Sequence, residues 1–218
     1  MQNISKEDYL SAIFKNLNGD GKVKPGLLAA KLSVTNAAVT DMLRKLTSDG
    51  YLIYEKYKSI SLTPDGESYA RNIVRRHRIW EVFLNQVVGL PWDKVHDEAN
   101  RLEHSSSDEL VNRLEEMLDF PEFDPHGDPI PSKNGKMPKM KRQKSLSELE
   151  EGGYGTVIRV IDSDESLLNY ISKLGIKLKE KVTVKKKFLF DGSLEIVIKG
   201  KASNISDKLA QNIFIEIK

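Results

Sequence analysis

The sequence predicts a mainly helical protein with a β-rich end: a winged helix-turn-helix, a helical middle domain and a small C-terminal β-barrel. Three observations predict this class. Apolar residues recur at helical spacing through most of the N-terminal half, prolines and lysines crowd the centre, and alternating strand-like runs fill the C-terminal part. We therefore expect three domains, at 1–72, 73–141 and 148–218.

The composition sets the broad class of protein. The chain has 218 residues, 39% of them hydrophobic, which suits several small cores better than one compact unit. It has no cysteine, which excludes disulfides and thiolate ligands, and no apolar run near the ~20 residues that span a bilayer. The N-terminal MQNISKEDYL lacks the pattern of a signal peptide, so we expect a cytoplasmic protein with no membrane partner.

The N-terminal elements occur in the order helix, helix, turn, helix, hairpin. Ser5 and Asp8 predict a capping box at the start of the first helix. PGLLAAKL (25–32) and NAAVTDMLRKLTSDG (36–50) predict two short helices joined by a tight turn, which is a helix-turn-helix. YLIYEKYKSISLT (51–63) then predicts two strands with a polar hairpin tip, the wing of a winged helix.

The middle of the chain predicts three more helices. Thr63, followed by a proline at the first helical position, predicts the start of a long helix. This helix is expected to reach about Val88. A second helix is expected over 93–104, and a third over DELVNRLEEML, with Ser106 and Glu109 as its capping box. These helices predict a helical second domain.

The part of the chain from residue 120 onward changes composition twice. Residues 120–145 hold five of the eight prolines and a cluster of lysines, which predicts an irregular arm followed by a flexible basic linker. Beyond it, GTVIRVI, KVTVKKKFLF, SLEIVIKG and NIFIEIK predict strands, SLLNYISKLG predicts a helix, and Asp191-Gly192 predicts a hairpin turn. Several short strands with one or two small helices predict a small barrel.

The helix over 36–50 has the composition of a DNA recognition helix. Such a helix carries small or polar residues at its N-terminal end, where it meets base edges, and cations where it meets phosphates. The expected base-reading residues are Thr35, Asn36, Ala37 and Thr40. The expected backbone contacts are Lys31, Arg44, Lys45, Lys56, Tyr57 and Lys58. An ordinary helical hairpin with a basic face is the alternative, but the order of the elements favours DNA binding.

Each of the four histidines has a carboxylate within four positions. Residues three, four, seven and eight apart share one helix face, which groups His96 with Asn100, Glu103 and His104. His77 and Glu81 interrupt the apolar stripe of the long helix, and an unpaired buried charge costs several kcal/mol unless it finds a partner. His126 lies beside Asp124 in DPHGDP.

Metal binding and a network of hydrogen-bonded histidines remain equal alternatives on residue types alone. Imidazole and carboxylate ligands without sulfur suit Mn(II), Fe(II), Co(II) or Zn(II) and disfavour Cu(I).

Taken jointly, the motifs RHRIWEVFL (76–84), VHDEANRLEH (95–104), SDELVNRL (107–114) and FDPHGDPIP (123–131) resemble the iron- and manganese-dependent repressors typified by the diphtheria toxin repressor and the manganese transport regulator. The resemblance covers essentially the whole chain. It implies a homodimeric, metal-activated repressor of double-stranded DNA with a pseudo-palindromic operator, central helices that dimerise and hold the metals, and an SH3-like (FeoA-like) third domain.

By this resemblance the primary metal ligands are Asp8, Asn100, Glu103 and His104, with His77 near both sites. Asp8 stands where the iron-responsive branch has methionine, which favours Mn(II), with Fe(II) as the alternative and Zn(II) or Co(II) as substitutes in vitro. Ser11 and Asn100 depart from the family pattern, since each replaces an anionic ligand. The resemblance therefore implies a weaker or differently filled primary site.

The resemblance also implies a second site. In one branch its ligands correspond to Glu81, Asp124, His126 and an acid of the barrel, Asp162 or, as runner-up, Asp164. In the iron-responsive branch they correspond to His77, Glu81 and His96, and both arrangements stay open. A proline-rich turn held by an Asx hydrogen bond is the alternative for Asp124 and His126.

The resemblance implies repression of metal-uptake genes. Three rival functions remain: a metal-independent winged-helix regulator, a metal-dependent hydrolase, and an RNA-binding or scaffold role for the lysine-rich barrel. The hydrolase has little support in the sequence, which has no HExxH motif and no convincing nucleophile.

Overall fold

The computed structural model describes residues 5–17, 21–54, 59–161 and 165–216 and confirms the predicted fold class. The N-terminal domain is a winged helix, and its two strands pair antiparallel with Leu52 opposite Leu62. Its elements are α1 (Lys6–Lys15), α2 (Pro25–Leu32), α3 (Asn36–Ser48), β1 (Leu52–Tyr54) and β2 (Ile60–Leu62). The wing tip, residues 55–58, lies outside the described residues.

Local chemistry explains where these helices begin. The capping box predicted for α1 is present, because the Ser5 hydroxyl accepts from the Asp8 backbone N–H and the Asp8 carboxylate accepts from the Ser5 backbone N–H. Thr35 caps α3 in the same way. Both helices bury their apolar stripes in one core, which includes Leu10, Ile13, Leu28, Leu43 and Leu46.

The long helix α4 (Pro64–Gln86) connects the first two domains. Its first half contributes Ala70 and Ile73 to the winged-helix core, and its second half forms a separate core with α5 (Val95–Glu103) and α6 (Asp108–Met117). It ends at Gln86, two residues before the predicted Val88.

The predicted cap of α6 is wrong by one residue. Ser107 caps the helix by accepting from the Leu110 N–H at 3.2 Å. Ser106 instead accepts from Trp80 Nε1 at 2.8 Å and donates to the Leu102 carbonyl. The buried indole needs an acceptor, so this tertiary contact sets the role of Ser106.

The arm that follows α6 is irregular, as predicted, but it packs closely against both neighbouring domains. Phe123 and Pro129 form an isolated β-bridge, and Arg71 donates to the Gly135 carbonyl at 2.6 Å. The linker then leads into β3 (Gln143–Ser145), a strand that the sequence does not predict. Its three residues are too few to show an alternating pattern.

The C-terminal domain is a six-stranded antiparallel sheet in the order β3-β8-β4-β5-β6-β7. Its core is formed by apolar residues from every strand except β3, from the 3-10 turn and from both helices. The further elements are a 3-10 turn (Leu146–Glu148), β4 (Tyr154–Val160), α7 (Glu165–Lys173), β5 (Lys181–Lys187), β6 (Leu194–Ile198), β7 (Lys201–Ile205), α8 (Asp207–Ala210) and β8 (Ile213–Glu216).

Two details of this sheet differ from the prediction. Asp191-Gly192 lies in the β5–β6 connection, with Gly192 at φ 72°, but that connection spans 188–193 and is longer than a two-residue turn. Strand β7 is not predicted, because only Ile205 of its five residues is buried. Among the described residues, no helix is long and apolar enough to cross a membrane.

Candidate metal centre

Three side chains from two domains meet between α1 and α5, and we call Asp8, Glu103 and His104 the outer cluster. Their ligand atoms all lie within 4.8 Å of one another. His104 Nε2 is 3.2 Å from Asp8 Oδ1 and 3.3 Å from Glu103 Oε1. Two carboxylate oxygens and one imidazole nitrogen therefore converge on one point, a donor set that suits a divalent cation.

Each acid of the outer cluster keeps one oxygen free for this point. Asp8 Oδ2 accepts from the Ser5 backbone N–H at 2.6 Å, so Oδ1 faces His104. Glu103 is only 3% exposed, and its Oε2 lies 2.6 Å from His77 Nδ1, which leaves Oε1 for the cluster. The capping box of α1 and the burial of Glu103 thus orient both acids.

Glu7 orients His104, a role that the sequence does not predict. Glu7 Oε2 lies 2.7 Å from His104 Nδ1, and Tyr69 donates its hydroxyl hydrogen to Glu7 Oε1 at 2.7 Å. Burial lowers the pKa of His104, but the hydrogen bond to Glu7 and the charges of Glu103 and Asp8 outweigh it and raise the pKa. The only signal in the sequence is a second acid beside Asp8, which the first turn of a helix explains equally well.

Asn100 and Ser11 line the same cleft, which has a volume of about 660 Å³. Both side chains are half-buried, and Asn100 lies on the face of α5 that the sequence predicts. Their amide and hydroxyl oxygens are neutral donors beside the two carboxylates. The other two acids of α5 take no part in the cluster: Asp97 is exposed, and Glu98 pairs with Arg101 at 2.6 Å.

A second group, His77, Glu81 and His96, lies next to the outer cluster, and we call it the central trio. Glu81 Oε1 is 3.0 Å from His77 Nε2 and 3.1 Å from His96 Nδ1. Burial lowers the pKa of His77, but the charge of Glu81 and the hydrogen bonds to Glu103 and Glu81 raise it to about 9. Burial raises the pKa of Glu81, but His77 and the hydrogen bonds from the histidines hold it well below its usual value.

The third group, Glu81, Asp124 and His126, is fully buried, and we call it the inner cluster. His126 Nδ1 lies 3.8 Å from Glu81 Oε2 and 4.0 Å from Asp124 Oδ1. Asp124 Oδ1 accepts from the backbone N–H groups of His126 and Asp128, so the Asx turn considered as an alternative is present. The turn uses Oδ1 of Asp124, and Oδ2 takes no part in it.

The inner cluster contains buried oxygens that lack hydrogen bonds. Among the described residues, Glu81 Oε2 and Asp124 Oδ2 have no hydrogen-bond partner, although Arg78 Nε lies 3.4 Å from Asp124 Oδ2. Burial and the charges of Glu81 and Asp128 raise the pKa of Asp124 to about 7. Buried carboxylate oxygens of this kind are costly without a cation, so the residues fit a divalent metal. The fourth expected ligand, Asp162, and its runner-up Asp164 lie outside the described residues.

Glu81 belongs to both arrangements of the second site. Its Oε1 faces His77 and His96, and its Oε2 faces His126. The fold therefore brings together the described members of both ligand sets that the sequence leaves open.

The expected DNA contacts are on one end and one side of α3. Asn36 and Ala37 are exposed, Thr35 Oγ1 accepts from the Ala38 N–H at 3.2 Å, and Thr40 Oγ1 donates to the Asn36 carbonyl. The described cations Lys31, Arg44 and Lys45 are exposed. Lys56, Tyr57 and Lys58 lie outside the described residues. Two of the proposed base-reading hydroxyls thus also have structural roles within the helix.

Three family models match the chain in succession. Residues 3–60 match the N-terminal DNA binding domain of iron dependent repressors, and residues 63–132 match their metal binding and dimerisation domain. Residues 144–217 match the FeoA domain.

The chain is also similar to individual proteins. It is 33% identical over 125 residues to an HTH-type transcriptional regulator MntR of Lysinibacillus sphaericus (strain C3-41), which covers 57% of this chain and 89% of that protein. A solved manganese-dependent transcriptional repressor in complex with manganese superposes with a TM-score of 0.89 at 34% identity, over 97% of this chain and 99% of that chain. The manganese regulator SloR superposes with a TM-score of 0.81 at 32% identity over the full length of both chains.

Proposed function

Because this chain belongs to the MntR and DtxR family of metal-dependent transcriptional repressors, we propose that it represses metal-uptake genes when Mn(II) binds at the outer cluster. Proteins of this family are repressors and not enzymes, so the hydrolase hypothesis is discarded. Two rivals remain: a winged-helix regulator that binds DNA without metal, and an RNA-binding or scaffold role for the C-terminal barrel.

A single observation carries the proposal. Asp8 lies on the first helix of the winged-helix domain, whereas Glu103 and His104 lie at the end of α5 in the helical domain. A divalent cation supplies the positive charge that lets two carboxylates and an imidazole share this point. With Asp8 held against Glu103 and His104, the position of α1 relative to the helical domain is fixed, and the recognition helix packed on α1 is fixed with it.

The required coupling is modest in size. A metal affinity that is ~100-fold higher for the DNA-competent arrangement corresponds to about 2.7 kcal/mol, within the usual range for allosteric coupling. One interdomain site with three ligands on two domains can supply such a difference, because only one arrangement of the domains brings all the ligands together.

We favour Mn(II) and keep Fe(II) as the alternative. Two carboxylate oxygens and the neutral oxygen of Asn100 form a hard donor set, and hard oxygen ligands suit manganese. The relatives named for manganese support the same choice. Zn(II) and Co(II) accept the same donors and are expected to substitute in vitro.

For the second site we propose the inner cluster, with Asp162 as a further ligand from the barrel. The partnerless oxygens of Glu81 and Asp124 favour this arrangement over the central trio. In the central trio both nitrogens of His77 already have carboxylate partners, Glu103 and Glu81.

The active species is proposed to be a homodimer that binds a pseudo-palindromic operator in the cytoplasm. The matching family model describes a dimerisation domain. Large apolar side chains are exposed on the same domain, at the end of α4 and along α6: Val87, Val88, Leu110, Met117 and Phe120. Burying this face between two copies gives a two-fold dimer, which presents two recognition helices to successive major grooves.

The test is a titration of duplex DNA with the full-length protein, followed by fluorescence anisotropy. The DNA is an operator selected from random duplexes by the Mn(II)-loaded protein. We expect tight DNA binding with Mn(II) and release of the DNA on chelation. The same titration with Fe(II) and Zn(II) ranks the three metals by the operator affinity that each supports. Equal affinity before and after chelation would establish the metal-independent regulator instead.

A further inference from the structure

We propose that Arg159 of barrel strand β4, acting through Asp128, is the positioning residue for the inner-cluster ligands Asp124 and His126, an inference that rests on the proposed metal at that cluster. Neither Arg159 nor Asp128 belongs to the proposed ligand sets. The barrel thereby sets the affinity of a metal site whose described ligands all lie outside it.

The turn that carries Asp124 and His126 is docked on the backbone of β4. The Val160 N–H donates to the His126 carbonyl at 2.8 Å. Gly127 has φ 90°, and a Cβ atom built on it would lie 2.0 Å from the Ile158 carbonyl oxygen. Only glycine permits so close an approach of the turn to the strand. The position of the turn therefore depends on the position of the barrel.

The strand is shaped for this approach. The pairing of β4 with β8 shifts register between Val157 and Arg159, which marks a β-bulge at Ile158. Bulges redirect side chains and bend the strand locally. Here the Ile158 carbonyl faces Gly127, and the guanidinium of Arg159 lies 5.0 Å from the centre of the Phe214 ring, which fixes its direction.

Asp128 links the barrel to the long helix. Its Oδ1 accepts from Arg159 Nε at 2.5 Å, and its Oδ2 lies 3.4 Å from a terminal nitrogen of Arg78 on α4. Its backbone N–H donates to Asp124 Oδ1 at 2.9 Å, and its carbonyl accepts from the Asp124 N–H at 3.0 Å. Asp128 is therefore bonded to the metal-ligating turn by its backbone and to both flanking domains by its side chain.

The same contacts explain why the ligands need this support. Asp124 and His126 lie on an irregular arm with no helix or strand to orient them. Partners that orient metal ligands without touching the metal commonly contribute about 10-fold to 100-fold to metal affinity. The charge pair of Asp128 and Arg159, with side chains 10% and 27% exposed, is shielded enough from water to have such an effect.

The experiment measures Mn(II) binding by the full-length chain from the loss of the free Mn(II) electron paramagnetic resonance signal. His126→Ala identifies the inner-cluster ion and His104→Ala identifies the outer-cluster ion. Arg159→Ala should weaken the inner ion by about 10-fold or more and leave the outer ion within about twofold. Arg159→Lys keeps the charge and should recover part of the loss.

A matched control removes a different ion pair of the same barrel. Lys199→Ala breaks the 2.7 Å pair with Glu180, which includes no residue of the arm, so both ions should bind as in the parent chain. The two tryptophans give a second readout in the metal-free chain through 5-fluorotryptophan NMR. Trp92 stacks on His126 at 5.7 Å, so Arg159→Ala should shift the Trp92 resonance and leave Trp80 unchanged.

The proposal is overturned if Arg159→Ala leaves the inner ion unchanged, weakens both ions equally, or shifts both tryptophan resonances. A parent chain that binds only the outer ion overturns it as well. A different result would overturn the proposed function: a chain that binds two ions but whose DNA affinity does not change with Mn(II).

Discussion

The outer and inner clusters use the same ligand chemistry in opposite surroundings. The outer cluster joins two domains, and its His104 side chain is 29% exposed. The inner cluster is entirely buried, and its arm is clasped between α4 and the barrel. An ion can exchange with solvent at the first, whereas at the second it would be an integral part of a packed core. On the proposed function, the contrast favours sensing at the outer cluster and structural support at the inner one.

The two clusters also differ in the hydrogen bonds that their carboxylates make without a cation. Outer-cluster acids have hydrogen-bond partners, namely Ser5 for Asp8 and His77 for Glu103. Inner-cluster acids retain buried oxygens, on Glu81 and Asp124, that have no hydrogen bond within the part of the chain that the structure describes. The free chain therefore tolerates an empty outer cluster well, as a sensor requires, and is strained by an empty inner one.

The largest expected effect is at the docking of the inner arm. Gly127→Ala introduces a side chain at φ 90° and a contact of 2.0 Å with the Ile158 carbonyl, so it should lower the free energy of unfolding by about 4 kcal/mol. Urea denaturation of the metal-free chain measures this loss. The matched control is Gly135→Ala, which has φ 74° but no contact closer than 3.6 Å and should cost about 1 kcal/mol. Equal losses would show that the close approach is not important.

The next effect is on DNA binding at the outer cluster. His104→Ala should reduce operator affinity at saturating Mn(II) by about 100-fold, because the two domains lose a shared ligand. His126→Ala should reduce it less, since the inner cluster does not contain a residue of the winged helix. Anisotropy titrations of both variants test the contrast, and a larger loss for His126→Ala would reverse the assignment of sensor and support.

The third effect is on the pH dependence of the metal-free chain. His77 has its pKa raised from 6.5 to about 9, so its contribution to stability is complete below pH 6.5 and is lost as the pH rises through 9. We expect a loss of about 2 kcal/mol across this window. Asp124, whose pKa is raised from 3.8 to about 7, also loses its contribution as the pH rises, but over the lower range from about 4 to 7.

Denaturation at several pH values measures the trend, with and without Mn(II). In the presence of Mn(II) the fall from pH 6.5 to 9 should shrink, because protons compete with the ion for the imidazole of His104, so the ion binds and stabilises the chain more as the pH rises. A metal-free chain whose stability rises over this window would contradict the inferred state of His77.

The smallest effect is expected from the acids beside the outer cluster. Asp97→Ala and Glu98→Ala should change Mn(II) affinity by less than about twofold, because these side chains are exposed or paired with Arg101. Calorimetric titration with Mn(II) provides the measurement. A tenfold loss in either variant would mean that the acidic surface attracts the ion and that the cluster alone does not set its affinity.

Much of the fold follows from local patterns. The capping box of Ser5 and Asp8 and the cap at Thr63 are predicted correctly, because caps depend on residues within one turn. The cap at Ser106 is predicted wrongly, since the indole of Trp80 occupies that hydroxyl from 26 positions away. Strand β7 escapes prediction for a similar reason, because its place in the sheet depends on pairing with β6 and not on its own pattern.

The sequence by itself determines the winged helix, the helical middle, the barrel, and the faces that group His96 with Glu103 and His77 with Glu81, since each follows from spacing within one element. Only the tertiary structure decides that Glu7 orients His104, that Glu81 faces two histidine sets, and that Arg159 reaches Asp128. Glu7 and His104 are 97 positions apart, and Asp128 and Arg159 are 31 apart. Nothing in local periodicity encodes which distant side chains will meet. Their meeting depends on how the domains pack, and the affinity of the metal sites depends on it too.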